Sequence, residues 1–472
     1  MSKEVFDFNA GLKKKLFIAF IAGAVLLTVG ALMPSGGHEE AEGDHTELAS
    51  AEDHGNDHAT AEKNEGEHHE GDDKQEPHGE DAGHAVSDGG HGHEKTWLDR
   101  FKIDFWINNV YFTGLALIGL FFFAIQYAAQ AGWSAYIIRI PLSMAHWILP
   151  AGVLMLLTFL LFNHDIFHWT HSNLYGEFLE NGARNPDYDP LIEGKSGFFY
   201  LLSAPGKFPV FFIARMVIFF GAWYLLFKKL RSLSNLEDEL GGTSYWYKMR
   251  RFSVAFLLVF AVSSSIAAWD WVMSIDVHWF STMFGWYVFA SWFVAGLALI
   301  TLITVLLKEA GYMTQVTSNH LHDLGKFVFA FSIFWTYIWF SQFLLIYYAN
   351  IPEESVYFVE RMFSDKYAPV FFINLIMNFF FPFLCLITRD AKRLNVFLKI
   401  ACIVIILGHW VDFYLMITPG TLGESGAFGF TEIGMYLMFG SAFLFVVMRA
   451  MASYALVPKN HPMLEEAKHH HI

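Results

Sequence analysis

RFSVAFLLVFAVSSSIAAWDWVMSIDVHWF, residues 251–280, opens on a basic residue, runs through a long apolar stretch interrupted by three serines, and closes on two aspartates and a histidine among tryptophans. A bilayer core of roughly 30 Å needs about 20 consecutive apolar residues if they are helical. This stretch meets that length. It is too long for a barrel strand, and unpaired backbone amides are prohibitively costly in lipid, so a helix crossing a membrane is the reading that remains.

Runs of the same kind recur on both sides. Nine spans are predicted at about 107 to 130, 142 to 162, 208 to 228, 250 to 272, 284 to 307, 325 to 349, 367 to 388, 396 to 418 and 431 to 455. Before them, Lys13, Lys14 and Lys15 precede an apolar run from Leu16 to Met33, which reads as a retained first helix or as a signal peptide. Met33-Pro34 directly after the run makes a poor cleavage site, so retention is favoured and ten helices are expected. Composition agrees: of 472 residues 54% are hydrophobic and 18% aromatic, too little polar surface to cover a soluble globule of that size.

The formal charge of −15 is unevenly spread. Between His38 and Glu94 the nineteen Asp and Glu outnumber two Lys, a local charge of −17, which leaves the rest of the chain at +2. Residues 34–96 also carry ten histidines and hardly an aromatic, a composition that cannot bury enough surface to fold alone. This segment is expected to be a mobile loop with weak, fluctuating affinity for divalent metals and no fixed coordination geometry. Acidity confined to one loop says nothing of nucleic acid, and no nucleic-acid partner is expected. The resulting organisation is residues 1–33 as N-terminus and first helix, 34–96 as loop, 97–458 as helical membrane domain and 459–472 as a short tail.

Positive charges orient the spans. With the N-terminus inside, twenty Lys and Arg fall in cytoplasmic segments, ten in outer loops and one, Arg215, within a span. Lys228, Lys229 and Arg231 with Lys248, Arg250 and Arg251 make one inner loop basic, and Arg389, Lys392 and Arg393 another. Both termini are therefore expected in the cytoplasm, with the acidic loop on the periplasmic side of a cell inner membrane.

Ionisable side chains inside spans are costly, so their positions carry information. Counted from Arg251, Asp270 lies roughly 28 Å along its helix, in the outer third, with Asp276 and His278 near the interface. Ser263, Ser264 and Ser265 place hydroxyls near the middle of the same helix. Together these groups either line a polar path or do structural work, the serines allowing close packing and the carboxylates capping the helix or pairing with Arg215. His409 and Asp412, three apart, share a helical face, with Tyr414 nearby on another. Such a pair can relay a proton or hold a quinone headgroup, because each partner exchanges donor and acceptor roles when protonated; a static buried pair is the alternative. His164, His168 and His171 would share one face if helical, although an interfacial loop bonding to partners or headgroups is the favoured reading over a metal site. His146 reads as packed, as do the aromatics Phe334, Trp335, Tyr337, Trp339 and Phe340.

The only cysteines, Cys385 and Cys402, lie in apolar spans and cannot make an iron–sulfur ligand set, and no C-x-x-C-H motif is present. No cofactor and no metal site is expected in this chain.

Four stretches resemble the NrfD/PsrC-like membrane subunits of alternative complex III, the bacterial quinol:cytochrome c oxidoreductase, and its ActF-type subunit in particular: AGWSAYIIRIP at 131–141, AWDWVMSIDVHWFSTMFG at 268–285, HLHDLGKFVFAFSIFWTYIWFSQFLLIYYANIPEE at 320–354 and GHWVDFYLMITP at 408–419. The likeness runs from about residue 100 to the C-terminus and leaves the His-rich loop outside. It implies an all-α membrane domain in which helices two to five and six to nine form two four-helix bundles, flanked by two peripheral helices. It also implies partners: an ActC-like sister subunit, an iron–sulfur subunit, haem c subunits carrying the covalent centres, and a cytochrome c or terminal oxidase receiving electrons from menaquinol or ubiquinol. By that analogy Asp270, Asp276, His278, His409 and Asp412 are the proton-path or quinone candidates, with Arg215, Ser263 and Ser264 beside them. The resemblance attaches the quinol site more firmly to the sister subunit, so proton conduction or scaffolding is the stronger expectation here. A purely structural anchor and an ion-coupled secondary transporter are the competing functions; the transporter is disfavoured because no paired Gly or Pro breaks stand in corresponding halves.

Overall fold

The computed structural model describes residues 5–32, 95–179 and 181–471. The His-rich loop lies outside the described residues. Helix makes up 78% of the structure, with no strand among the described residues. Among the described residues, ten helices are long and apolar enough to cross a membrane: α1 (Ala10–Leu32), α2 (Trp97–Ala128), α3 (Arg139–Ile166), α4 (Val210–Leu240), α5 (Ser244–Ile275), α6 (Phe284–Glu309), α7 (Ser318–Ala349), α8 (Ala368–Leu386), α9 (Asn395–Ser425) and α10 (Phe430–Met451). The chain is an all-α, multi-pass membrane protein.

Helix ends follow local chemistry. Asp99 reaches back to the Thr96 amide at 2.9 Å, a capping interaction that starts α2 ten residues before the apolar run expected at 107. At the other end of α4, the helix continues past the basic cluster at Lys228 to Leu240 and stops at Gly241, whose φ of 66° suits a residue without Cβ. Lys228, Lys229 and Arg231 therefore sit on helix rather than in a loop.

α2, α3, α4 and α5 pack in a ring, and α6, α7, α8 and α9 in a second. α2 and α6 form the seam between them, each 89% buried along its most apolar stretch. A Cβ on Gly114 of α2 would overlap the Trp292 ring of α6, so glycine is what lets the two backbones approach. α1 and α10 pair outside the bundles, with Gly23 so close to Gly434 that a Cβ there would stand 2.6 Å from its carbonyl. This is the two-bundle, two-flanking-helix arrangement expected.

Val5 bridges Ala455, which places both described ends of the chain on one face, here called the terminal face. On the opposite, loop face, Trp279 donates to the Glu354 carbonyl at 3.1 Å and stacks on Tyr357 at 3.9 Å between ring centres.

Candidate functional site

Each bundle encloses an aspartate singled out by the sequence. In the first, Asp270 on α5 is only 1% exposed and receives a bidentate contact from Arg215 on α4, Nε to Oδ2 at 2.9 Å and Nη2 to Oδ1 at 2.7 Å. The remaining Arg215 nitrogen, Nη1, donates to the Phe198 carbonyl at 2.7 Å, and the guanidinium lies over the Phe198 and Phe211 rings at 4.3 and 4.5 Å. Planar fork geometry suits arginine alone, and it spends both carboxylate oxygens on one cation. Of the two readings of Asp270, pairing with Arg215 is the arrangement present. Ser263 does not point along a path to it: its hydroxyl donates to the Val259 carbonyl at 2.7 Å and accepts from Trp223 Nε1 at 2.9 Å. Ser264 is buried beside it, while Ser265 is half-buried.

In the second bundle, all four helices meet at Asp412. Oδ1 accepts from the Tyr287 hydroxyl of α6 at 2.5 Å and from Asn374 Nδ2 of α8 at 3.0 Å; Oδ2 accepts from Trp335 Nε1 of α7 at 2.9 Å. His409, one turn earlier on α9, is also wholly buried, with Nδ1 3.0 Å from Ser291 Oγ and 3.9 Å from Asp412 Oδ2, and its Nε2 has no partner. Asn378 donates to Asn374 at 2.6 Å and extends the network along α8. Asn378 sits in a π-helical turn, Ile376–Phe380, whose extra residue turns it inward; such turns cluster where function interrupts regular packing.

The sequence reading missed this network's neutral members. Asn374 and Asn378 carry no charge to flag them, and Trp335 passed for packing although its indole N–H holds the carboxylate. Their signal was the i, i+4 spacing of two amides inside an apolar span.

On the loop face, Asp276 lies 3.5 Å from Arg361 Nη2, and His278 Nε2 lies 2.6 Å from Asp189 Oδ2. Lys195 bonds the neighbouring Val277 carbonyl. Burial by itself pushes the Asp189 carboxyl up, but the His278 contact and the amides of Ile192 and Leu191 outweigh it and hold it below the usual carboxylate range. Asp276 and His278 thus belong to a surface lattice, apart from both buried carboxylates. His164, His168 and His171 do not share a helical face: α3 ends at Ile166, and His168 opens a short 3₁₀ turn. Their rings still gather, His164 and His168 lying 5.3 and 5.7 Å from His171. Among the described residues, no group of three or more His, Cys, Asp or Glu is arranged to hold a metal ion.

Further buried acids lie outside the residues singled out by the sequence. Asp104 on α2 is 4% exposed with Oδ2 unpartnered, close to Glu432 of α10, which accepts from Arg100 Nη2 and the Gly429 amide, both at 2.6 Å. Beginning α2 at 107 hid Asp104. Glu237 near the end of α4 is fully enclosed, on helix that continues past the apolar run expected to end at 228.

His409 and Asp412 are completely enclosed by side chains of their own bundle, so a quinone ring would reach them only through large repacking. A proton needs no such space. The arrangement can exchange protons, because Tyr287 and Ser291 each donate or accept by rotating a hydroxyl. Compared with known proteins, the chain matches no family model, and no curated protein matches it.

Proposed function

We propose that this chain is the ActF-type membrane subunit of a respiratory quinol:cytochrome c oxidoreductase, alternative complex III, and that it holds and passes protons in support of quinol oxidation without a redox centre of its own. Electrons would travel through partner iron–sulfur and haem c subunits, from menaquinol or ubiquinol to a cytochrome c or terminal oxidase, with an ActC-like sister beside this chain. The observation that carries the proton reading is Asp412. Its three donors are neutral, each comes from a different helix, and an imidazole with a free nitrogen stands one turn away. A charge that only fastens helices together is better served by a fixed cation, as at Arg215 and Asp270. The distribution of lysine and arginine supports placing both termini in the cytoplasm of a cell inner membrane, with the His-rich loop periplasmic.

The test is to purify the assembly through this chain and reconstitute it with quinol and cytochrome c. Haem c and iron should co-purify, and Asp412→Asn should leave the subunit composition intact while lowering the membrane potential built per quinol oxidised. An unchanged yield in fully assembled variant would favour the purely structural anchor, and a stable monomer free of haem and iron would leave the secondary transporter.

A further inference from the structure

At the terminal-face end of the first bundle, several buried polar atoms stand together without partners. Neither carboxylate oxygen of Glu237 has a hydrogen-bond donor, although the residue is 0% exposed. The Tyr127 hydroxyl, Gln126 Oε1 and Arg139 Nε are likewise buried and unpartnered. Tyr127 and Arg139 both lie within electrostatic reach of Glu237. Gln126 and Tyr127 also line a small cavity with Ser134, Trp246 and His461.

A bare carboxylate enclosed in protein is among the costliest arrangements a fold can contain, and so many unmet groups in one place call for water. Water is retained where two to four polar partners converge, and Glu237, Tyr127, Gln126 and Arg139 supply that number. The roof over the site is the segment after α10. Lys459 N and Asn460 Nδ2 bond the Asp238 carboxylate and carbonyl at 2.8 and 2.9 Å, and Arg139 spans Asp238 at 2.6 Å and the Ala455 carbonyl at 2.9 Å. His461 then packs edge-on against Tyr127, 5.5 Å between ring centres. Arg139 is thus already engaged by Asp238, which leaves Glu237 without a dedicated counter-charge.

Arg215 and Glu237 share α4 and stand about 33 Å apart at 1.5 Å per residue. They mark opposite ends of the first bundle. We propose that Glu237, with water held by Tyr127, Gln126 and Arg139, is a proton-exchange site at the terminal face, roofed by residues 455–463. The site takes protons and water and no larger ligand. It deepens the proton-handling reading above and rests on that reading for its physiological purpose, but its existence is tested independently.

In the intact assembly, infrared difference spectra between acid and alkaline buffer should contain a protonated-carboxyl band that shifts promptly on transfer to D2O. That band should vanish in Glu237→Gln and move without vanishing in Glu237→Asp. Hydroxyl-radical footprinting of the unmodified protein should label Tyr127 despite its burial, because radicals form on water lodged beside it. No exchangeable band attributable to Glu237, or an unlabelled Tyr127, overturns the proposal. If band and label are both found while neither Glu237→Gln nor Asp412→Asn alters the potential per quinol, the site stands and the proton-handling reading falls.

Discussion

Each bundle buries an aspartate that the sequence singled out, and the two are treated in opposite ways. In the first, a guanidinium forks onto Asp270 and both groups are consumed by each other. In the second, Asp412 is suspended between a phenol, an indole and an amide from three other helices. An ion pair in a low-dielectric interior is stable against small perturbation and slow to change charge, whereas a carboxylate held by neutral donors can gain a proton and keep most of its partners by rotating a hydroxyl. Under the proposed function, the contrast corresponds to fixed architecture at Asp270 and proton exchange at Asp412.

The sharpest way to break that assignment is Asp270→Ala. It leaves Arg215 charged and unpaired, which costs roughly 3–5 kcal/mol, and should abolish accumulation of the assembly. Arg215→Met combined with Asp270→Leu should restore it, seen as recovered thermal stability in detergent; failure of the double variant would mean that Asp270 does more than neutralise its partner.

A somewhat smaller effect comes from acid. Burial lowers the His461 imidazole to about 4, with the Arg139 charge adding to it and Asp238 opposing. The neutral ring accepts from the Met463 amide at Nδ1, a bond that protonation removes. Because the folded value is depressed, the stabilisation is full above the unfolded pKa near 6.5 and is lost as pH falls from there toward 4. At 1.36 kcal/mol per unit the total is up to about 3 kcal/mol. Amide hydrogen exchange over residues 456–468 should therefore accelerate across that window, and His461→Phe should flatten the dependence.

Asp412→Asn ranks third in stability. An amide nitrogen would face one of three donors, so a loss of about 1–3 kcal/mol is expected, well short of Asp270→Ala, together with the reduced potential per quinol. An equal or larger loss of stability than at Asp270 would erase the distinction between the bundles. Ser263→Ala should do least: Trp223 loses its acceptor, at about 1 kcal/mol, and proton yield should not change, since that hydroxyl is committed to Val259 and Trp223.

Span number and order were legible in the sequence because each apolar run is long enough to fix its own conformation, whereas bundle membership was implied only by the family resemblance. Boundaries were not, where the helix outlasted the apolar pattern: α4 continues through SLSNLEDEL because that segment packs on Arg139, Lys459 and Asn460, contacts that no local window contains. The same limit governed the sites. Ionisable residues inside apolar runs announced themselves at Asp270, His409 and Asp412. Those at the margins, Asp104, Glu237 and Glu432, did not, since depth there depends on where a helix begins or ends. Asn374 and Asn378 fell outside a search for charge altogether, and their inward aim comes from the π turn, which is a property of backbone register.

The pairing of α1 with α10 rests on very little side-chain burial: only Gly23 and Gly30 of α1 are buried. Two thin helix faces meet backbone to backbone there, so a single bulky residue at Gly23, against the Gly434 carbonyl and Met438, would part α1 from its partner while leaving the contacts within both bundles untouched.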